Sequence, residues 1–382
     1  MAHALSTRIL AAALTAAAGV SGQIALASNT VVVGPSTCQP ALTHYATIQA
    51  AVNAAPNAGI VLVCPGTYPE QVSISKPLTL KGVTDGTSNA AIITVPGGGL
   101  VPNATQPTYF GGPVSGQVVV QNTSGVTVNN LTIDGTGGAC LFPSALRQGG
   151  IVAYNVGNTI ISNTTVRHQV TSCQTGEGIL ADTSSITISS NVVHDIDRTA
   201  IFVAAGVGTV QNNNVERSAI YGIALYLGNK GVVSGNTVTN VFASNLESAI
   251  LLQATSNSIV SKNVLLSSPA SYIIGVWAYQ GSSGNTIVSN TVSDFGYGIV
   301  LQGASNTVVQ TNKLSELFYD GIYEDTSLGG NNITKNTVNE ATYGIFTDSS
   351  VGGDTLVPNT FYNTVTTIDP TPPSVVDPPQ AM

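Results

Sequence analysis

Charge is scarce in this sequence. Only 8% of its 382 residues are Asp, Glu, Lys or Arg, while 43% are hydrophobic. Disordered chains pair few apolar residues with much charge, so disorder of the whole chain is excluded. Scarce charge points instead to strands buried against one another under a Ser, Thr and Asn surface. Bases are scarcer than acids, 11 against 19, for a formal net charge of -8. No basic stripe is present, which excludes nucleic acid as a partner. A polyanion would need one local basic site to overcome the overall repulsion. No stretch beyond the N-terminus is long and apolar enough to span a bilayer, and the body of the chain lacks helix-period patterning. With four Cys and no Cys-x-x-Cys, a zinc site is not expected.

What is present is a repeat. Tyr221-Gly222-Ile223-Ala224-Leu225 and the following Gly235-Asn236-Thr237-Val238 set its pattern. The first half returns at Gly150-Ile151, Gly178-Ile179, Ala200-Ile201, Ala249-Ile250, Gly275-Val276, Gly298-Ile299, Gly321-Ile322 and Gly344-Ile345. Successive steps from residue 151 to residue 345 are 28, 22, 22, 27, 26, 23, 23 and 23. The second half, Asn-x-hydrophobic, returns at Asn191, Asn213, Asn263, Asn290, Asn312, Asn336 and Asn359, and less regularly at Asn129 and Asn163. A fixed period with insertions marks a stacked architecture. Two or three short strands per unit, with Asn at one corner, predict an all-β fold: a right-handed, single-stranded parallel β-helix. Stacked Asn side chains would then form an internal ladder.

On these repeats the chain resembles the pectin-lyase-like β-helix proteins, over about residues 43 to 365. The resemblance implies the fold and leaves the chemistry open, since one scaffold hosts many activities. Thr47 to Ala55 reads as an amphipathic helix capping the N-terminal end, with Ile60 to Cys64 as the first strand. That opening, with Gly66-Thr67-Tyr68-Pro69-Glu70, looks like the opening of pectin methylesterases. Their catalytic blocks do not follow, so Glu70 reads as structural and esterase activity is not expected. The polygalacturonase Gly-His-Gly and Arg-Ile-Lys are also missing. Val193-His194-Asp195 keeps only the end of the Asp-Pro-His-Asp of mannuronan epimerases.

The domain reading is a signal peptide at 1–27, an extended lead-in at 28–42, a parallel β-helix at 43–366 and a Pro-rich disordered tail at 367–382. Arg8, the apolar run Ile9 to Val20 and Ala25-Leu26-Ala27 supply the signal. The chain is therefore expected outside the cell or in the periplasm, as a monomer with no stable membrane span. In an exported chain four Cys suggest two disulfides. Cys38–Cys64 and Cys140–Cys173 are preferred, because each would join neighbouring coils. Residues 97–116, 134–149, 168–176 and 242–248 break the repeat and are expected to wall a binding site.

Two signals point to a site. Alternation along the strand that begins at each Ile turns Phe202, Tyr226, Trp277, Tyr279, Tyr323 and Phe346 outward. Flat rings along a groove suit sugars, and loops or the tail folding over them is the alternative. Secondly, apart from Arg8, every Arg lies between 147 and 217: Arg147, Arg167, Arg198 and Arg217. His168, His194, Glu177, Asp182, Asp195, Asp197 and Glu216 share that interval. His168, Asp195 and Arg217 fall almost in one column of successive coils, where an ion-pair ladder is the alternative to catalysis. A uronate lyase or epimerase would use Arg198 or Arg217 as cation and His168, His194 or Tyr226 as base. A glycosidase would pair Asp182 with Asp195 or Asp197, or with Glu177. The expected catalytic set is thus Asp195, His194, Arg198, His168 and Asp182. The binding set is Phe202, Tyr226, Trp277, Tyr279 and Arg217. No cofactor is assigned. Were calcium bound, Asp195 and Asp197 would be its ligands, although no EF-hand pattern is present. The expected partner is an extracellular polysaccharide, bound and open to cleavage. The rival is a non-catalytic surface, adhesin-like or NosD-like accessory protein.

Overall fold

A chain that turns the same corners every 22 to 28 residues can pair each strand only with its equivalent one turn away, and only in parallel. The computed structural model describes residues 29–369, apart from 85, 87–88, 105–112, 140–146, 172–173, 242–247, 269–271 and 348–352. It is an all-β, right-handed parallel solenoid of about 11 turns. Strands such as Gly176–Asp182, Ser185–Ser189 and Val192–Ile196 make one coil, and Thr199–Ala204, Val207–Gln211 and Asn214–Ser218 the next. Their register is strict, with Ile179 opposite Ile201, Ile188 opposite Val210 and Val193 opposite Val215. The strands form one 13-stranded sheet and one 22-stranded sheet.

The two halves of the repeat have separate physical causes. The Ile of each Gly-Ile pair points inward and is fully buried, from Ile151 to Ile345. The Gly before it lies against the next coil. A Cβ at Gly275, Gly298 or Gly321 would stand 2.5 Å from the carbonyl oxygen of Gly298, Gly321 or Gly344 respectively. The Asn of the second half is also buried from Asn191 to Asn336, at the corner between two faces. Asn290 Nδ2 donates to Asn312 Oδ1 (3.0 Å) and to the Val260 carbonyl (3.0 Å), and its backbone N–H donates to the same Oδ1 (2.9 Å). The pattern is unbroken from Asn191 to Asn359. Asn129 and Asn163 do not belong to it. Thr164 occupies the ladder position of its coil, and its N–H donates to Asn191 Oδ1. Asn163 sits one residue earlier, exposed and at φ +50°, in the left-handed conformation that Ser190, Asn212 and Gly235 adopt on later coils.

The N-terminal segment follows the sequence closely. The helix runs Ile48–Ala54, with Thr47 accepting a hydrogen bond from the Ala50 N–H. Glu70 accepts from the Ile48 and Gln49 N–H groups, the structural role expected of it. Ile48, Ala51 and Val52 are buried. The lead-in is itself a strand, Thr30–Val33, paired in parallel with Gly59–Val63. Cys38 and Cys64 form a disulfide with their Cα atoms 6.3 Å apart. Cys140–Cys173, the signal segment and the tail from residue 370 lie outside the described residues. Parts of the expected loop intervals are regular, since Val114–Ser124 and Arg147–Gly157 are strands.

The ladder makes a direct prediction. Asn290→Leu keeps the side-chain volume but leaves the Asn263 backbone N–H, the Asn263 side-chain amide and the Val260 carbonyl short of partners. It should cost about 1–3 kcal/mol. A thermal melt identical to the parent's would show that the corner amides carry no net stabilisation.

Candidate functional site

The scarce charges lie side by side on successive coils. In the outward column of one face, Asp134 stands opposite Arg167, Arg167 opposite His194, and His194 opposite Glu216. The residues following the last three, His168, Asp195 and Arg217, turn the adjoining corner at φ +55°, +57° and +54°. The expected column of His168, Asp195 and Arg217 is therefore real, and it lies against a second column of alternating charge.

Contacts knit the two together. Asp134 accepts from Arg167 Nε (2.9 Å), faces His168 Nδ1 (3.1 Å) and accepts from the Thr136 hydroxyl (2.6 Å). Asp195 accepts from Arg217 Nε (2.6 Å) and Nη2 (3.0 Å), and faces His194 Nδ1 (2.6 Å). Arg217 also pairs with Glu216. Burial works against ionisation of Asp134, but the Thr136, His168 and Arg167 hydrogen bonds outweigh it and bring the carboxyl down to about 2. Arg217, opposed by partial burial and helped by His194, holds Asp195 well below the usual carboxylate range. An acid held this firmly as a carboxylate is a poor proton donor, and its lone pairs are already engaged.

Inside this ladder lies a different acid. Glu177 is fully buried, with its Oε1 3.5 Å from Arg147 Nη1 and 3.3 Å from Arg198 Nε. The Thr199 N–H donates to its other oxygen at 3.2 Å. These contacts are long, and burial outweighs the Arg147, Arg198 and Thr199 contributions, pushing the carboxyl up to about 7. Asp197 is raised as well by burial, against donors from the Thr171 N–H (2.5 Å), the Thr171 hydroxyl (2.8 Å) and the Gly176 N–H (2.6 Å). With those contacts it links Thr171 to Gly176. Asp182 is fully buried and accepts from the Thr183 hydroxyl. Among the described residues no group of three His, Cys, Asp or Glu is arranged to hold a metal ion.

The aromatic strip needs correction. Its registers are as expected, with Leu180, Phe202, Ala224, Leu251, Trp277, Val300, Tyr323 and Phe346 in one outward column and Asp182, Ala204, Tyr226, Gln253 and Tyr279 in the next. The rings are not exposed. Phe202, Trp277, Tyr279, Tyr323 and Phe346 are buried, and Tyr226 is half-buried. Interleaved Leu, Val and Ala make the column a second hydrophobic cluster, separate from the inner core. Rings packed as Trp277 is on Tyr279, with centroids 4.6 Å apart, offer no open face to a sugar. Sequence reading missed a further group, Asp320 among Tyr297, Tyr319 and Tyr343. Its signal was present, because Tyr297, Asp320 and Tyr343 recur at the 23-residue step. A shallow cavity of about 240 Å³ on the other sheet, lined by Thr159, Ile160, Thr187, Val207 and Thr209 among others, contains no titratable group.

Comparison with known proteins agrees with this fold. The family described as right handed beta helix region matches residues 115–240, and the family described as periplasmic copper-binding protein (NosD) matches residues 234–373. The GH136 lacto-N-biosidase from Eubacterium ramulus superposes with a TM-score of 0.63 at 12% identity, covering 89% of this chain and 68% of that one. The Dettilon tailspike protein gives 0.62 at 15%, covering 87% and 68%. The A-module of mannuronan C-5 epimerase AlgE6 from Azotobacter vinelandii gives 0.59 at 18%, covering 87% and 95%. The chain has the right-handed parallel β-helix fold of the pectin-lyase-like proteins. No curated protein matches it.

Glu177 and the ladder acids act in opposite pH windows. A carboxyl raised from 4.5 to about 7 is protonated in both states at low pH. As pH rises through that interval the unfolded chain releases the proton first, so stability falls until about pH 7 and then levels. Asp320, also raised to about 7, adds the same sign. Asp134, lowered to about 2, contributes above its ordinary value and is lost as pH falls. Glu177→Gln should therefore flatten part of the decline in melting temperature between pH 4.5 and 7. An unchanged slope would place the titration elsewhere.

Proposed function

We propose that the protein binds an anionic extracellular polysaccharide across the coils of residues 147–226, with Arg198 at the centre. The observation that carries this reading is the arrangement around Glu177. The fully buried Glu177 lies 3.3 Å from Arg198 Nε, and the Arg198 side chain remains 29% exposed. No described residue engages its two terminal nitrogens, and a guanidinium in that state can grip a sugar carboxylate through parallel hydrogen bonds. Arg147, 20% exposed, flanks the same glutamate. Glu177 can take up a proton as the second carboxylate arrives, which relieves the like-charge repulsion. Two proteins of the same fold are named for action on carbohydrates, a lacto-N-biosidase and a mannuronan epimerase, which supports the substrate class. The disulfide fits an oxidising compartment, and none of the described helices is long and apolar enough to cross a membrane. Export through the segment 1–27 belongs to the same reading.

Binding is favoured over cleavage, because Asp195 is saturated by Arg217 and His194 and Asp182 is buried. If the bound polymer is cut, His168, with 42% of its side chain exposed, is best placed to take a proton. The second reading is a non-catalytic accessory protein, favoured by the NosD match over residues 234–373. Copper is the weak part of it. Residues 234–373 contain no His, Cys or Met, the imidazole, thiolate and thioether ligands that suit copper.

Calorimetry with polygalacturonate, alginate and neutral dextran tests the proposal. An acidic polymer should bind, less tightly as salt rises. Arg198→Ala should lose about 1.5–3 kcal/mol of that binding, while Arg217→Ala, whose guanidinium is committed to Asp195 and Glu216, should lose little. Parent-like binding by both Arg198→Ala and Arg147→Ala would sink the reading. Absorbance of unsaturated products and reducing-end assays, with and without calcium, would report cleavage.

A further inference from the structure

A second acid on this molecule is buried without the donors that hold the others. Asp320 stands in an outward column between Tyr297 and Tyr343 on the neighbouring coils. It is 5% exposed, and its Oδ1 has no hydrogen-bond partner. Glu177 and Asp197 each accept from backbone N–H groups, whereas no donor reaches Asp320 Oδ1. A buried polar atom left unpaired in a native fold calls for an explanation.

Its surroundings narrow the explanation. Tyr297 stacks on Tyr319 at 5.1 Å and meets Tyr323 edge-on at 5.6 Å, and Tyr272 lies 6.0 Å from Tyr319. The group opens to solvent at Tyr272, 44% exposed, and Phe318, 63% exposed. The adjoining corner carries Asp294, Glu316 and Glu340 on successive coils, where Asp294 and then Glu340 push the Glu316 carboxyl upward. Residues 290–345 contain six acids, Asp294, Glu316, Asp320, Glu324, Asp325 and Glu340, against Lys313 and Lys335. Both lysines are exposed and neither pairs with Asp320. An anion is repelled here. A neutral hydroxyl would supply a donor but leave the charge and the ring faces unused. An ammonium uses all three, through a charge-assisted hydrogen bond, attraction to the acidic corner and contact with aromatic faces.

We propose that Asp320, with Tyr297 and Tyr319 and entry past Tyr272 and Phe318, is a binding site for an ammonium-bearing ligand, an amino-sugar chain or a free polyamine. Burial alone pushes the Asp320 carboxyl up to about 7. A protonated amine arriving at the neutral acid therefore displaces its proton to solvent, leaving carboxylate and ammonium paired. Binding should strengthen as pH rises from about 5 to 7 and should release protons over that range.

The test is calorimetry of the full chain in two buffers of different ionisation enthalpy. The probes are a fully deacetylated glucosamine hexamer, its N-acetylated counterpart and spermidine. Binding of either amine with proton release supports the proposal, and the two amine arms tell the sources apart. Asp320→Asn should lower that affinity about tenfold or more and abolish the proton release. Tyr272→Ala and Phe318→Ala, both at exposed positions where folding is not at risk, should weaken it severalfold. Arg198→Ala should leave it unchanged, so this site and the arginine site fail separately. Equal binding of the acetylated hexamer would overturn the assignment in favour of a neutral saccharide. Failure of both amines to bind, or parent-like binding by Asp320→Asn, would overturn it altogether.

Discussion

A backbone N–H buried at a turn must find an acceptor, and in this protein, from Thr164 to Asn336, the acceptor at one corner of the coil is the amide of the next. That requirement fixes much else. The ladder from Asn191 to Asn359 locks each coil's register to its neighbour's, so a residue's outward or inward direction repeats at every turn. Insertions between repeats are tolerated only where they leave the stack, and columns of like position run the length of the molecule. The ion-pair lattice, the second hydrophobic cluster and the Tyr297–Asp320–Tyr343 column are all products of that repetition.

Columns also explain why acids on one scaffold behave so differently. Asp195 and Glu177 belong to adjacent strands, yet one is held far below the ordinary range and the other raised to about 7. Both have arginines beside them. Asp195 stands at a corner, partly in water, and takes two close donors from one guanidinium. Glu177 lies beneath the surface, and its two arginines reach it only at 3.3 and 3.5 Å. Donor distance and burial decide the outcome, not the number of cations nearby.

Much of this could be read from the residues. The period, the Gly-Ile and Asn signals, the Thr47 helix, the Cys38–Cys64 bond and the column of His168, Asp195 and Arg217 follow from local pattern repeated in register. The misses have physical reasons. Asn163 shows the right residue type one position too early, because Asn suits both a left-handed turn and a ladder rung. Trp277 and Phe202 do point outward, as alternation requires, but exposure depends on what lies beyond the strand, and alternation is silent on that. Asp320 looks like any repeat residue until Tyr297 and Tyr343 are placed on either side of it.

The Cys38–Cys64 bond makes the two ends of the stack unequal. In a solenoid each coil touches only its neighbours, so order is lost from an end inward. The lead-in strand Thr30–Val33 pairs with Gly59–Val63, and the disulfide fastens Cys38, just beyond the lead-in strand, to Cys64 at the end of its partner. The last described strand, Thr360–Asp369, has no such fastening, and none of its ten residues is fully buried. Under heat, force or protease the molecule should peel in one direction, shedding coils from the Thr360–Asp369 side while the disulfide-closed side stays folded longest.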